Sequence, residues 1–213
     1  MPLQRVLSLL RHYATAEQEF AVWSDIVSNL SPLGPLFDSK PGGKELLNGF
    51  VCQLLGRLGD SLGWQPAPGE PMLTSRLRAV VIGKLVRSGE TTAVAGALRR
   101  FADVKAATPT PDRTKPPPAE PAVDVSLLET VLRAGVEHGS PADYEYVAAS
   151  AREATSTEAQ LRCLRALGGA RDTSLQQRTL ELALSTEVRA QDAATCFGAC
   201  RVRRRALVRV TQP

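Results

Sequence analysis

The sequence predicts an all-α protein, built of antiparallel helical hairpins stacked as an α-solenoid of the HEAT or armadillo kind. Three observations carry this. Apolar residues recur at steps of three and four along nearly the whole chain. No segment sustains the two-residue alternation, rich in β-branched and aromatic residues, that a half-buried strand requires. In the second half, short helical segments follow one another across brief loops, the spacing of antiparallel neighbours, although no strict sequence repeat accompanies them.

The elements follow in order. A first helix spans 2–13, where Leu3, Val6, Leu7 and Leu10 form one stripe. A second spans 17–36 on Phe20, Trp23, Ile26, Val27 and Leu30, and Pro32 and Pro35 should kink or end it, because proline removes a donor and crowds the preceding turn. The Lys40-Pro41-Gly42-Gly43 turn leads to a third helix, 44–62, with Leu46, Leu47, Phe50, Val51, Leu54, Leu55 and Leu58 inward and Gly63 as its stop. Pro66, Pro68 and Pro71 keep the next stretch out of helix. Helices then span 72–87 and 90–105.

Residues 107–121, ATPTPDRTKPPPAEP, hold six of the fifteen prolines and no large apolar residue, so they make a solvated loop or linker. Five further helices are expected: 124–138, 141–154, 157–168, 173–185 and one from 191. Ser140 before Pro141 and Asp143, the Thr155-x-x-Glu158 and Thr157-x-x-Gln160 spacings, and Asp172 and Asp192 read as helix starts. Gly139 and Gly168-Gly169 read as left-handed stops. The division is a helical domain over 1–200, interrupted by the proline-rich loop, and a basic tail at 201–213.

Charge gives the folded body no field to steer a polyanion, so no nucleic-acid partner is expected, and binding through the basic tail is the alternative. The chain is formally +4, but Arg201, Arg203, Arg204, Arg205 and Arg209 of the tail carry +5, which leaves residues 1–200 at about −1. Cys52, Cys163, Cys196 and Cys200 make no disulfide framework, and reduced thiols in the cytoplasm are expected. No apolar run reaches the roughly 18 residues of a membrane span, so no membrane partner is expected.

Catalytic chemistry is sparse. The histidines are His12 and His138, far apart in sequence, and HExxH, GxSxG, GxxxxGK and GxGxxG are all absent. Cys196-x-x-x-Cys200 places two thiols on one helical face, but a structural zinc site takes four ligands and no other Cys or His is close in sequence. His138, near a helix end, is most simply a partner of the helix dipole, and Trp23 and Trp64 are core anchors.

Five pieces of sequence stand in a telling order: Val22-Trp23-Ser24; Leu62-Gly63-Trp64 followed by Pro68-Gly69-Glu70; the run from Arg78 to Lys84; Ala97-Leu98-Arg99-Arg100-Phe101; and Val188-Arg189-Ala190-Gln191-Asp192. Together they resemble the C-terminal helical domain of gluzincin zinc aminopeptidases, most closely those of the puromycin-sensitive kind. In that family zinc is held by HExxH and a distant Glu of a separate catalytic domain. The resemblance therefore implies no cofactor and no catalytic residue in this chain, which alone would be inactive.

It implies a helical cover that encloses and positions peptide substrates for a catalytic domain or chain elsewhere. Arg189 and Gln191 would be its peptide-binding residues, Arg189 pairing with a peptide carboxylate. A plainer reading stands beside this one, with Arg189 and Glu187 a solvated pair and Asp192 a cap. Another alternative is a stand-alone solenoid adaptor for a peptide or protein. The chain departs from the family pattern in its proline-rich loop and after Asp192, where it stops inside the domain.

Overall fold

The computed structural model describes residues 3–107, 123–189 and 191–194. Among them are ten helices and no strand: α1 (Leu3–Tyr13), α2 (Phe20–Leu30), α3 (Leu33–Asp38), α4 (Gly43–Leu62), α5 (Met72–Arg87), α6 (Thr91–Ala107), α7 (Val125–His138), α8 (Pro141–Glu153), α9 (Thr157–Leu167) and α10 (Thr173–Leu184). A further helical stretch occupies 191–194. The fold is all-α, as the periodicity predicts. Two compact units divide the chain: α1 to α5 with α6 as far as Gly96 and Val123–Leu127, then the remainder.

In the first unit, α4 and α2 both pack on α5. Leu47, Phe50, Val51, Leu54, Leu55 and Leu58 of α4 are buried with Leu77, Val81, Ile82, Leu85 and Val86 of α5. Each such side chain contributes roughly 1.5–3 kcal/mol by leaving water. Trp23 is wholly buried and its indole Nε1 donates to the Glu17 carbonyl at 3.1 Å, so its one polar atom is satisfied. Helix α1 docks through Arg11, whose guanidinium lies 5.2 Å over the Phe50 ring and donates to Gln53 Oε1 at 3.0 Å.

In the second unit, α8 packs on α9 and α9 on α10. Small residues (Ala148, Ala151, Ala166 and Ala183) are buried there beside Val147, Leu164, Leu167 and Leu180. Tyr144, 1% exposed, donates its hydroxyl to Thr179 Oγ1 at 3.0 Å, while Thr179 donates its own to the Leu175 carbonyl at 2.9 Å. Phe101 lies so close to Gly135 that an added Cβ would meet the ring at 2.5 Å.

Several expectations are corrected. The 17–36 segment is two helices, because Pro32 has no N–H to give the Ser28 carbonyl, which accepts from Ser31 N at 3.3 Å instead. Pro35 falls in the first turn of α3, where no intrahelical donor is needed. Leu46, expected inward, is 70% exposed: it lies off the buried stripe, on a groove between α1 and α4 of about 570 Å³.

Ser156 caps α9, accepting from Ala159 N at 3.2 Å, so neither threonine spacing is a capping box. Ser140 and Asp143 do form one around α8, and Asp172 accepts from Ser174 N and Leu175 N at the start of α10. The Asp192 N–H donates to the Arg189 carbonyl at 2.8 Å, which places Asp192 inside the first turn and not at its cap.

Gly63 closes α4 with φ 58, but Gly168 has φ −62 and Gly139 is not left-handed either. Gly139 is required sterically: a Cβ there would meet the Gly135 carbonyl oxygen at 2.3 Å and Asp143 Oδ2 at 2.5 Å. The proline-rich loop, the tail, Cys196 and Cys200 lie outside the described residues.

Candidate functional site

Three features of the chain's polar chemistry are concentrated enough to consider as sites. The first is a cleft of about 480 Å³ in the first unit. Its floor follows from the sequence of α4, where Cys52, Gly56, Gly59 and Gly63 recur at steps of four, three and four and leave one face almost bare of side chains. Gly59 permits α5 to approach, since a Cβ there would meet Leu85 Cδ1 at 2.5 Å. Trp64 stands at the rim against Gly96, whose absent Cβ would meet the indole at 2.9 to 3.1 Å. Asp60 and Glu90 supply the charge of the lining. Burial first, and then the Glu90 carboxylate, push the Cys52 thiol up.

The second is the loop between α4 and α5. Arg78 is 2% exposed and donates through Nη1 and Nη2 to Glu70 Oε1 and Oε2 at 2.6 and 2.5 Å, while its Nε donates to the Leu62 and Gly63 carbonyls, each at 3.0 Å. Glu70 also accepts from Ser75 Oγ at 2.8 Å and Ala67 N at 3.2 Å. The Arg78 guanidinium, hydrogen-bonded to it, holds the Glu70 carboxyl down at about 2. Every oxygen and nitrogen of this pair is used in fixing the loop, so it is architecture and not a binding site. Arg76 points the other way, to solvent, as the helical spacing predicts.

The third is the corner that holds the two expected peptide-binding residues. Arg189 and Gln191 are both exposed. Arg189 Nη2 donates to Thr157 Oγ1 at 2.6 Å, in the first turn of α9. Glu187 does not pair with Arg189: its carboxylate takes Arg152 Nε at 2.9 Å and its carbonyl takes Gln160 Nε2 at 3.2 Å, because the residue turns toward α8 and α9. Asp192 is 8% exposed, and its Oδ2 has no hydrogen-bond partner among the described residues. That orphan acceptor is a feature no sequence pattern signals.

Among the described residues no three His, Cys, Asp or Glu side chains gather as a metal would need. His12 packs edge-on against Tyr13 at 5.7 Å and His138 closes α7. Cys163 is buried, which pushes its thiol up, and with Cys52 it is a free cysteine.

Comparison with known proteins matches residues 1–211 to the ERAP1-like C-terminal domain family. The chain belongs to that family. This ERAP1-like C-terminal domain is 28% identical over 193 residues to Aminopeptidase M1-A of Oryza sativa subsp. japonica, covering 89% of this chain and 21% of that protein. It is 26% identical over 178 residues to "Aminopeptidase 2, mitochondrial" of Saccharomyces cerevisiae, covering 83% and 17%. With Glutamyl aminopeptidase of Rattus norvegicus it shares 25% identity over 181 residues, covering 84% and 18%.

The ERAP1-like domain thus spans about a fifth of the length of the curated relatives it matches. The residues that carried the resemblance have separable parts in it. Trp23 and Arg78 are core, Glu70 is the partner of Arg78, Trp64 lines the cleft, and Arg189 is left exposed.

Proposed function

We propose that this domain is the non-catalytic helical cover of a zinc aminopeptidase, enclosing and positioning peptides for removal of their N-terminal residue by a catalytic domain outside this chain. The observation that carries the proposal is the match of residues 1–211 to an aminopeptidase C-terminal domain family, in a chain without HExxH. Enclosure excludes water from the reacting bond and fixes the peptide in one register, which is what a cover supplies to chemistry done elsewhere. The succession of α8 on α9 on α10 supports stacking of hairpins as a solenoid.

Arg189, with Gln191 beside it, is the residue we assign to a peptide carboxylate. Its guanidinium is exposed with one nitrogen spent on Thr157, and it stands at the N-terminal turn of α9, where the helix dipole also favours an anion. The free cysteines Cys52 and Cys163 accord with the cytoplasm. No helix among the described residues is long and apolar enough to cross a membrane.

The test is an aminopeptidase assay in two parts. The 213-residue chain alone should release no amino acid from aminoacyl substrates in a chelator-sensitive way. Joined to the catalytic part of a relative, it should raise turnover of peptides relative to single aminoacyl amides, and Arg189→Ala should raise KM for peptides about tenfold without changing KM for the amides. Chelator-sensitive activity of the chain alone would overturn the proposal. Peptide binding with no effect on any peptidase would favour the stand-alone adaptor.

A further inference from the structure

Helix α1 is held to the first unit by little. At about 3.6 residues per turn its side chains divide cleanly: Val6, Leu7, Leu9, Leu10 and Tyr13 fall on one arc of about 160°, and Gln4, Arg5, Ser8, Arg11 and His12 fill the other side. The groove it shares with α4 does not take the apolar arc, because α1 lines that groove with Leu7 and the polar Gln4, Ser8 and Arg11. Arg11 supplies the ties across it, one hydrogen bond to Gln53 and one contact over the Phe50 ring. No residue from Gln4 to Tyr13 is buried: Val6, Leu7 and Leu10 are half-buried, and Leu9 and Tyr13 are 50% and 59% exposed. The charge is of one sign, since residues 1–16 hold Arg5, Arg11 and His12 and no acid.

We propose that α1 lies on an anionic phospholipid bilayer, with its apolar arc among the upper acyl chains and its basic side chains at the level of the phosphates, turning away from α4 to do so. Three properties select that partner. Full separation of apolar from basic residues satisfies both only in the plane of a lipid–water interface. A stretch without any acid complements a surface of uniform negative charge. Tyr13, at the edge of the apolar arc, has a ring and a hydroxyl that suit the headgroup boundary. Departure from α4 uncovers no buried side chain of α1 and gives up the two contacts of Arg11. No helix among the described residues is long and apolar enough to cross a membrane, but a helix that lies on one needs only a single apolar face. The inference goes beyond the reading of the domain as a cover and does not rest on it.

The test is flotation of the whole 213-residue chain with lipid vesicles in about 0.1 M salt. Vesicles of phosphatidylcholine with about 30% phosphatidylserine should carry half of the chain at about 0.1–1 mM lipid, and pure phosphatidylcholine should bind it at least about tenfold more weakly. Leu9→Ser with Tyr13→Ser, at exposed positions, should weaken binding at least about tenfold while the circular dichroism of the free chain is unchanged. Arg5→Glu, also at an exposed position, should weaken it to a similar degree. The arginines of the tail are a rival source of attraction. A chain with Arg201, Arg203, Arg204, Arg205 and Arg209 all changed to Gln should keep its binding within about fivefold.

As an independent readout, Tyr13→Trp should add fluorescence that shifts to the blue on vesicle binding and is quenched by lipids brominated on their acyl chains. No binding at about 5 mM anionic lipid, equal binding to neutral vesicles, or unquenched emission from Tyr13→Trp would each overturn the proposal. So would unchanged binding of the serine or glutamate variants, or loss of binding when the tail alone is neutralised. Failure of the peptidase assay above, with these results observed, would discard the cover and keep the membrane helix.

Discussion

Arg78 and Glu70 meet as a bidentate pair at 2.6 and 2.5 Å, and the same guanidinium closes the end of α4 by donating to the carbonyls of Leu62 and Gly63. One buried arginine thereby satisfies the end of α4 and the loop between α4 and α5 at once. Arg78→Met should destabilise the domain more than any substitution of exposed Arg76, and Glu70→Gln should do so at pH 7 by leaving the buried cation underpaired. Urea unfolding of the two single variants and the double should be strongly non-additive, the double costing less than the sum. Additive costs would show that the two groups act independently.

The same pair sets an acid limit. The folded Glu70 carboxyl lies at about 2, below its ordinary 4.5, so the unfolded chain takes up the proton first as pH falls. The stabilisation is therefore complete above about pH 4.5 and is lost progressively toward pH 2. Thermal melts across this window should show a decline in the wild type that is shallower in Glu70→Gln. Parallel declines would remove Glu70 as its source.

Gly96→Ala should displace the Trp64 ring, because the new Cβ would stand 2.9 to 3.1 Å from three indole atoms. Overpacking of this kind costs roughly 1–3 kcal/mol. The indole N–H resonance of Trp64 should move while that of Trp23 does not. A variant as stable as the wild type, with the Trp64 resonance unmoved, would show that the ring is not held there.

Leu55 is wholly buried in the core of the first unit, and Leu55→Ala should cost about 2–5 kcal/mol through lost contacts and the cavity left behind. Leu46→Ala, on the same helix but exposed, should change stability by less than about 0.5 kcal/mol. Denaturant midpoints distinguish the two. Equal effects would place Leu46 in a core.

Thr179→Val removes the acceptor of the Tyr144 hydroxyl at nearly constant shape, and should cost about 1 kcal/mol. Breaking the exposed Arg152–Glu187 pair by Glu187→Gln should change stability by less than about 1 kcal/mol. Both are read by denaturant unfolding, and a neutral Thr179→Val would show that the Tyr144 hydroxyl draws nothing from this bond.

The sequence by itself determined that the chain is helical, and where nearly every helix runs, because the apolar stripe, proline and a side-chain cap act within one or two turns. It could place Trp23 inward and separate Arg76 from Arg78, since residues two apart on a helix face different ways. What only the tertiary structure decided were relationships between distant segments. Leu46 belongs to the same apolar run as Leu47 and lies outside because it faces the open groove between α1 and α4. Gly139 serves a close contact and not a left-handed turn. Glu187 chose Arg152 over the nearer Arg189, and the acids of the cleft, thirty residues apart in the chain, became neighbours of one cavity through the packing of α4 on α5. Local pattern specifies conformation because its forces reach a few ångströms along one helix. Partnership is a property of the packed chain, and no pattern along one segment encodes which distant segment will face it.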